Sequence, residues 1–361
     1  MNILIDFAHP GHVHLLRYSY SILKEHGHNL YVTVKHIPSA ISLLDKFQIP
    51  YIYIGGKKDS LLGKAILQIV YNFKILKLVI ENKIDIGFCS SMTIAHVAKL
   101  TKMKSVILDD DDDDIEPLFV KFAHPFSNII LTPDSISRKV SKTIYYSGYH
   151  ELAYLHPKRF IPDVSVLDEI GVKPGEKYFI LRFNAFKAHH DVGVLGLSIE
   201  NKRKLIDLLK KNGKVFITTE REIDDEFKKY QLRVSPDKAH SLMYYATMLI
   251  GDSQTMTSEA AVLGTPAIRC NTFVGRISYL NEEESKYRLT YGFLPKDSDL
   301  FFLKINELLA LKNLKEEWAI RREAMLADKI DVTAFFVWFI ENYPESARIM
   351  RENPDYQYRF R

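Results

Sequence analysis

"LIGDSQTMTSEAAVLGTPAIRC", residues 249–270, holds a complete strand–helix–strand unit in one short stretch. An apolar run ends at Ile250, Gly251 turns the chain, and Asp252 and Ser253 stand where a helix N-cap belongs. The helix is expected over 255–263, with Gly264 stopping it and Thr265-Pro266 leading into the next strand. Strands apolar almost throughout and joined by a helix imply a parallel sheet covered on both faces. Small polar residues ahead of the helix leave its first N–H groups open at the positive end of its dipole. Ser253, Gln254 and Thr255 therefore form an end suited to a diphosphate. Glu259 lies more than a turn further in, with a carboxylate able to accept from sugar hydroxyls. A capped helix with a solvated glutamate accounts for the same residues equally well.

Working outward, the alternation repeats. Strands are expected at 2–7, 30–34, 51–54, 84–89, 105–108 and 128–131, with helices at 12–26, 60–81 and 92–101. Pro157, Pro162 and Pro174 then mark a linker. The pattern restarts with "YFILRF", "KVFITT", "TMLIGD" and "PAIRC", and the end of the chain reads as helical from Leu300 to about Tyr343. The expected fold class is α/β, with two doubly wound, Rossmann-like parallel-sheet domains, 1–157 and 158–330, facing a central cleft. Residues 331–361 are a C-terminal helix and a polar, aromatic tail that is free to cross back to the first domain.

The chain has 361 residues, too many for one compact core, with 47% hydrophobic and 26% charged residues and a net charge of +4. Basic and acidic residues are interleaved, so nucleic acid is not the expected partner. Cys89 and Cys270 stand far apart in apolar surroundings, which gives no disulfide framework. The first residues are too short an apolar run for a signal peptide, and no run spans a bilayer. A cytoplasmic protein is expected.

Residues that follow strands are the candidates for chemistry. "FAHPGHVHLL", residues 7–16, places His9, Gly11, His12 and His14 at the start of the first helix. His12 and His14 are two apart and point to opposite sides, so they do not share a metal ion. His12 is the candidate for a base or for a hydrogen-bond partner of acceptor or phosphate, with an ordinary imidazole pKa near neutrality that the helix end lowers. "LDDDDDDIEP" offers Asp110 and Asp111 for acceptor or sugar hydroxyls, although crowded carboxylates also suit a solvated loop. "ILRFNAFKAHHDVG" supplies Arg182, Lys187 and His190 for phosphate oxygens, and His240 opens a later helix. The 60–83 stretch is apolar with four lysines, which fits core packing or contact with an anionic membrane face.

The 249–270 stretch resembles the nucleotide-sugar motif of GT-B fold enzymes. It is similar to that of the UDP-N-acetylglucosamine 2-epimerases and the N-acetylglucosaminyltransferase that makes lipid II. The resemblance implies that Ser253 holds the diphosphate and Glu259 the ribose, with Gln254 and Thr255 in place of the usual glycines. It also implies that Gly11-His12 matches that transferase's Gly-His and that His240 lies by the base pocket. "IDFAHPGHVHLL", "LDDDDDDIEP", "GYHELAYLHP" and "ILRFNAFKAHHDVG" resemble domain-of-unknown-function family 354 over most of residues 1–330. The implied activity is glycosyl transfer from a nucleotide diphosphate sugar, UDP-linked, to a saccharide or lipid-linked acceptor in surface polysaccharide synthesis. No cofactor and no metal are implied. The alternatives are a 2-epimerase and a non-catalytic nucleotide-sugar-binding protein.

Overall fold

The computed structural model describes residues 1–56, 60–138, 140–183, 196–219, 223–232 and 234–361. The chain divides into two compact units, 1–159 with 329–361, and 160–328.

The first unit carries strands β1 (Asn2–Phe7), β2 (Asn29–Lys35), β3 (Ile52–Gly55), β4 (Ile86–Cys89), β5 (Lys104–Leu108), β6 (Ile129–Pro133) and β7 (Thr143–Tyr146). All pair in parallel, in the order β3-β2-β1-β4-β5-β6-β7. Ile3, Leu4, Ile5 and Phe7 of β1 are fully buried, as a central parallel strand covered on both faces requires. Asp6 interrupts that run without cost in unmet hydrogen bonds. It accepts from Thr33 Oγ1 at 2.8 Å and Ser91 Oγ at 2.5 Å.

The C-terminal segment completes this unit. The helix Val332–Glu341 buries Phe335, Phe336, Val337, Phe339 and Ile340. Arg159 Nη2 holds Asp331 at 2.7 Å, which extends the unit to Arg159 on one side and Lys329 on the other. The tail beyond Glu341 is ordered, with a helix over Glu345–Glu352 and a 3₁₀ segment over Pro354–Phe360. Gln357 Oε1 accepts from the Ser147 amide at 2.6 Å, and the Tyr356 ring lies 4.9 Å from Trp338.

The second unit carries β8 (Tyr178–Arg182), β9 (Lys214–Thr218), β10 (Met248–Gly251), β11 (Ala267–Cys270) and β12 (Thr290–Phe293), parallel in the order β12-β11-β10-β8-β9. Here the 249–270 stretch is β10, a helix over Gln254–Leu263, and β11. Gly251 is needed where it stands, because a Cβ there would lie 2.0 Å from the Arg182 carbonyl oxygen on β8. Gly264 closes the helix with φ of +79°.

The end of the chain is helical as expected, in separate helices at Ser298–Ala310, Leu314–Asp328 and Val332–Glu341. Trp318, fully buried, donates from Nε1 to the Leu289 carbonyl at 2.8 Å.

Candidate functional site

The first unit gathers polar groups beyond the carboxyl ends of β1, β5 and β7. His9 caps the Pro10–Glu25 helix, its Nδ1 accepting from the Gly11 amide at 3.1 Å. A Cβ on Gly11 would crowd that same Nδ1 at 3.1 Å, so glycine leaves room for the imidazole to fold over the helix end. His12 lies next to it, ring centroids 5.8 Å apart. His12 Nδ1 is buried and, among the described residues, has no hydrogen-bond partner. Burial above all, then His9 and His150, lowers the His12 pKa to about 3, far below the value expected of a base near neutrality. His14 is buried against Phe47 and Tyr154.

The aspartate run is not uniformly solvated. Asp109 is buried, accepting from His124 Nε2 at 2.6 Å and Arg138 Nη1 at 2.8 Å. Arg138 is fully buried and also donates to Thr132 Oγ1 at 3.1 Å, to Asp113 Oδ1 at 2.8 Å and to the Asp111 carbonyl. This guanidinium fixes the loop, and the loop presents Asp110 and Asp111.

Asp110 Oδ2 lies 2.9 Å from His150 Nδ1. Burial works against the Asp110 charge, yet His150, its hydrogen bond and His12 hold the carboxyl below the usual range. Asp111 goes the other way. Burial first, then the charges of Asp110, Asp109 and Glu116, push its carboxyl well above that range. Two neighbouring carboxyls are thus shifted in opposite directions, a division of the kind that proton transfer uses. Among the described residues, no three His, Cys, Asp or Glu side chains come together as a metal-binding set.

The second unit supplies the anion end. Ser253 caps the Gln254–Leu263 helix, its Oγ accepting from the Met256 amide at 3.3 Å, and Thr257 Oγ1 donates back to the Ser253 carbonyl at 2.6 Å. The amides of Gln254 and Thr255 occupy the first two helical positions and have no carbonyl a turn back to bond. Arg182 pairs in register with Gly251, and its carbonyl accepts from the Asp252 amide at 3.1 Å, so it stands beside this turn. Glu259 is buried, its Oε1 2.9 Å from His240 Nε2, so it is no solvated helix residue. Lys187 and His190 lie outside the described residues.

His150, His124 and Arg138 escaped the sequence reading as site residues. "GYHELAYLHP" carries His150, but nothing local links it to an aspartate forty positions earlier.

Residues 1–290 match the family described as Protein of unknown function (DUF354). The chain belongs to the DUF354 family. No curated protein matches this DUF354 chain by sequence. Solved structures do. The S. aureus MnaA–UDP co-structure superposes with a TM-score of 0.69 at 13% identity, covering 96% of this chain and 97% of that one. The spinosyn forosaminyltransferase SpnP gives 0.65 at 14% identity, covering 91% and 95%. The UDP-GlcNAc 2-epimerase from Neisseria meningitidis bound to UDP-GlcNAc gives 0.59 at 13% identity, covering 90% and 100%. At such identities the likeness concerns the fold. The DUF354 chain has the GT-B fold, two Rossmann-like units with C-terminal helices.

Proposed function

We propose that this protein is a glycosyltransferase that takes a nucleoside diphosphate sugar, UDP-linked, on its second unit and an acceptor hydroxyl on its first. The observation that carries this reading is the Ser253-capped helix with two open amides and, one turn on, a buried Glu259 held by His240. The open amides of Gln254 and Thr255, with Arg182 beside them, suit a diphosphate, and Glu259 suits the ribose hydroxyls. MnaA and the N. meningitidis epimerase are similar proteins with UDP or UDP-GlcNAc bound.

In the transfer, Asp110 takes the proton of the acceptor hydroxyl as its oxygen bonds to the anomeric carbon. The bond from that carbon to the diphosphate breaks, and the amides and Arg182 stabilise the leaving charge. His12, kept neutral by burial, serves as a hydrogen-bonding group to the acceptor instead of the base. His9 and Gly11 shape the same edge. The acceptor is a saccharide or its lipid-linked precursor at the cytoplasmic face of the membrane, in surface polysaccharide synthesis.

A second reading has one observation in its favour. Asp110 and Asp111, with pKa values moved in opposite directions, suit proton removal and return at one carbon, as a 2-epimerase requires.

Calorimetry with UDP, GDP and TDP, followed by proton NMR of UDP-N-acetylglucosamine with the enzyme, tests both. Tight UDP binding with a sugar change only when an acceptor is added supports transfer. A change without acceptor makes the epimerase the answer. Absence of binding by every nucleotide overturns both and leaves no enzyme reading.

A further inference from the structure

Two helices of the first unit are rich in apolar residues, and they meet different fates. Val332–Glu341 is packed by the Pro10–Glu25 helix, by Leu152–Leu155 and by the ordered tail. Among the described residues, Leu61–Glu81 is covered on one side, through Tyr71, Ile75 and Val79. On its other side Leu62, Ile66, Ile69, Phe73 and Ile80 stand exposed in one stripe, with Leu62 73%, Phe73 67% and Ile80 63% accessible. Their spacing of three, four and seven residues keeps them on one face. The stripe runs about 27 Å at 1.5 Å per residue. Ile52 and Tyr53 on the edge strand β3, which contacts this helix, are exposed as well. Single exposed apolar residues are ordinary, but a continuous stripe of this length marks a surface that meets something apolar.

We infer that this face docks on an anionic lipid surface, the helix lying in the plane of the interface. The charge on the segment selects the occupant. Residues 60–83 carry Lys64, Lys74, Lys77 and Lys83 against the single acid Glu81, a net of +3 in a chain whose total is +4. Lys77 is exposed beside the stripe, 3.7 Å from Glu81, Lys64 is exposed in the first turn, and Lys74 turns back to the Ile54 carbonyl at 2.8 Å. Packing two copies through this face would set two like-charged segments together, so a second copy is disfavoured. Apolar side chains rimmed by lysines are what a layer of acyl chains and acidic headgroups accepts. No described helix is long and apolar enough to cross a membrane, so the contact is peripheral. The inference goes beyond the nucleotide-sugar reading and does not depend on it.

The test is co-sedimentation of the full chain with vesicles of phosphatidylglycerol and phosphatidylcholine, against phosphatidylcholine alone. The wild type should bind the anionic vesicles at least about tenfold better, with high salt weakening the attachment. Ile69→Ser with Phe73→Ser, both exposed, should lower binding about tenfold or more with the melting temperature unchanged. Lys64→Glu with Lys77→Glu should do the same by charge. Binding that survives either pair, or no binding to anionic vesicles, overturns the proposal. So does a solution dimer, seen by light scattering, that Ile69→Ser with Phe73→Ser dissociates, since the face then belongs to a second copy. UDP affinity measured on the same preparations is scored separately, so failure of the sugar-transfer reading and failure of this one are distinct results.

Discussion

His150 Nδ1 stands 2.9 Å from Asp110 Oδ2, joining the turn after β7 to the loop after β5. The pairing fixes which ring nitrogen carries the proton and holds the Asp110 carboxyl ionised below its ordinary range. Asp110→Asn should therefore lower kcat by roughly 10²–10⁴-fold. His150→Ala should leave activity at alkaline pH and move the acidic limb of the kcat/KM profile upward, because Asp110 loses the neighbour that favours its charge. A profile that keeps its acidic limb in His150→Ala would clear His150 of this positioning role.

His12 makes stability depend on pH. Its imidazole titrates near 6.5 when unfolded and at about 3 when folded, so the unfolded chain binds more protons between those values. The stability contributed by a neutral, half-buried His12 is complete above pH 6.5 and is lost as the pH falls toward 3. The loss amounts to at most about 4–5 kcal/mol over that window. Urea unfolding at several pH values should show the decline, and His12→Asn should flatten it. An equal slope in both proteins would refute the assignment.

Glu259 and His240 separate nucleotide binding from folding. Glu259→Gln keeps the shape and a hydrogen-bond acceptor for His240 while removing the charge. UDP affinity should fall roughly tenfold or more, with the circular dichroism spectrum unchanged. Calorimetry reads the affinity directly. Undiminished binding would remove Glu259 from the ribose contact.

Ser253 has a structural share in the same helix. Ser253→Ala removes the Oγ that accepts from the Met256 amide and should cost about 0.5–2 kcal/mol. Ser253→Asp restores a cap and should recover that stability, yet it places a negative charge against the diphosphate and should weaken UDP binding. Melting curves and calorimetry together distinguish the two effects.

The tail is integral to the first unit. Ending the chain after Asn353 removes the Gln357 contact to Ser147, the Phe360 carbonyl that accepts from the Asp331 amide at 2.9 Å, and the rings against Trp338. The loss should be about 3–5 kcal/mol. It is read as a lower urea midpoint, and an unchanged midpoint would show the tail to be dispensable.

Local chemistry made much of this architecture readable. β1 is expected and found at residues 2–7, because a run of Ile, Leu and Phe ending at His-Pro has no helical period. The Gln254–Leu263 helix is readable from its cap and its stop, Ser253 and Gly264, to within one residue. The two strands not anticipated, β7 (Thr143–Tyr146) and β12 (Thr290–Phe293), both lie at sheet edges. An edge strand has a neighbour on one side only, so "TIYY" and "TYGF" carry half-buried residues, and their short runs lack the long apolar stretch of β1.

The site was legible in its parts and not in its pairings. Positions after a strand or at a helix start, together with the resemblance to the nucleotide-sugar motif, pointed to His12, Asp110, Ser253 and Glu259 as candidates. That Asp110 meets His150, that Arg138 turns three aspartates of the run into a fixed loop, and that Glu259 is held by His240 depend on residues 19 to 40 positions apart. Charge, burial and hydrogen-bond geometry act through space, so the protonation of these groups follows from the packed arrangement and is not written in any local stretch. The same holds for the Leu61–Glu81 helix, where packing covered Tyr71, Ile75 and Val79 and left Leu62, Ile69 and Phe73 exposed.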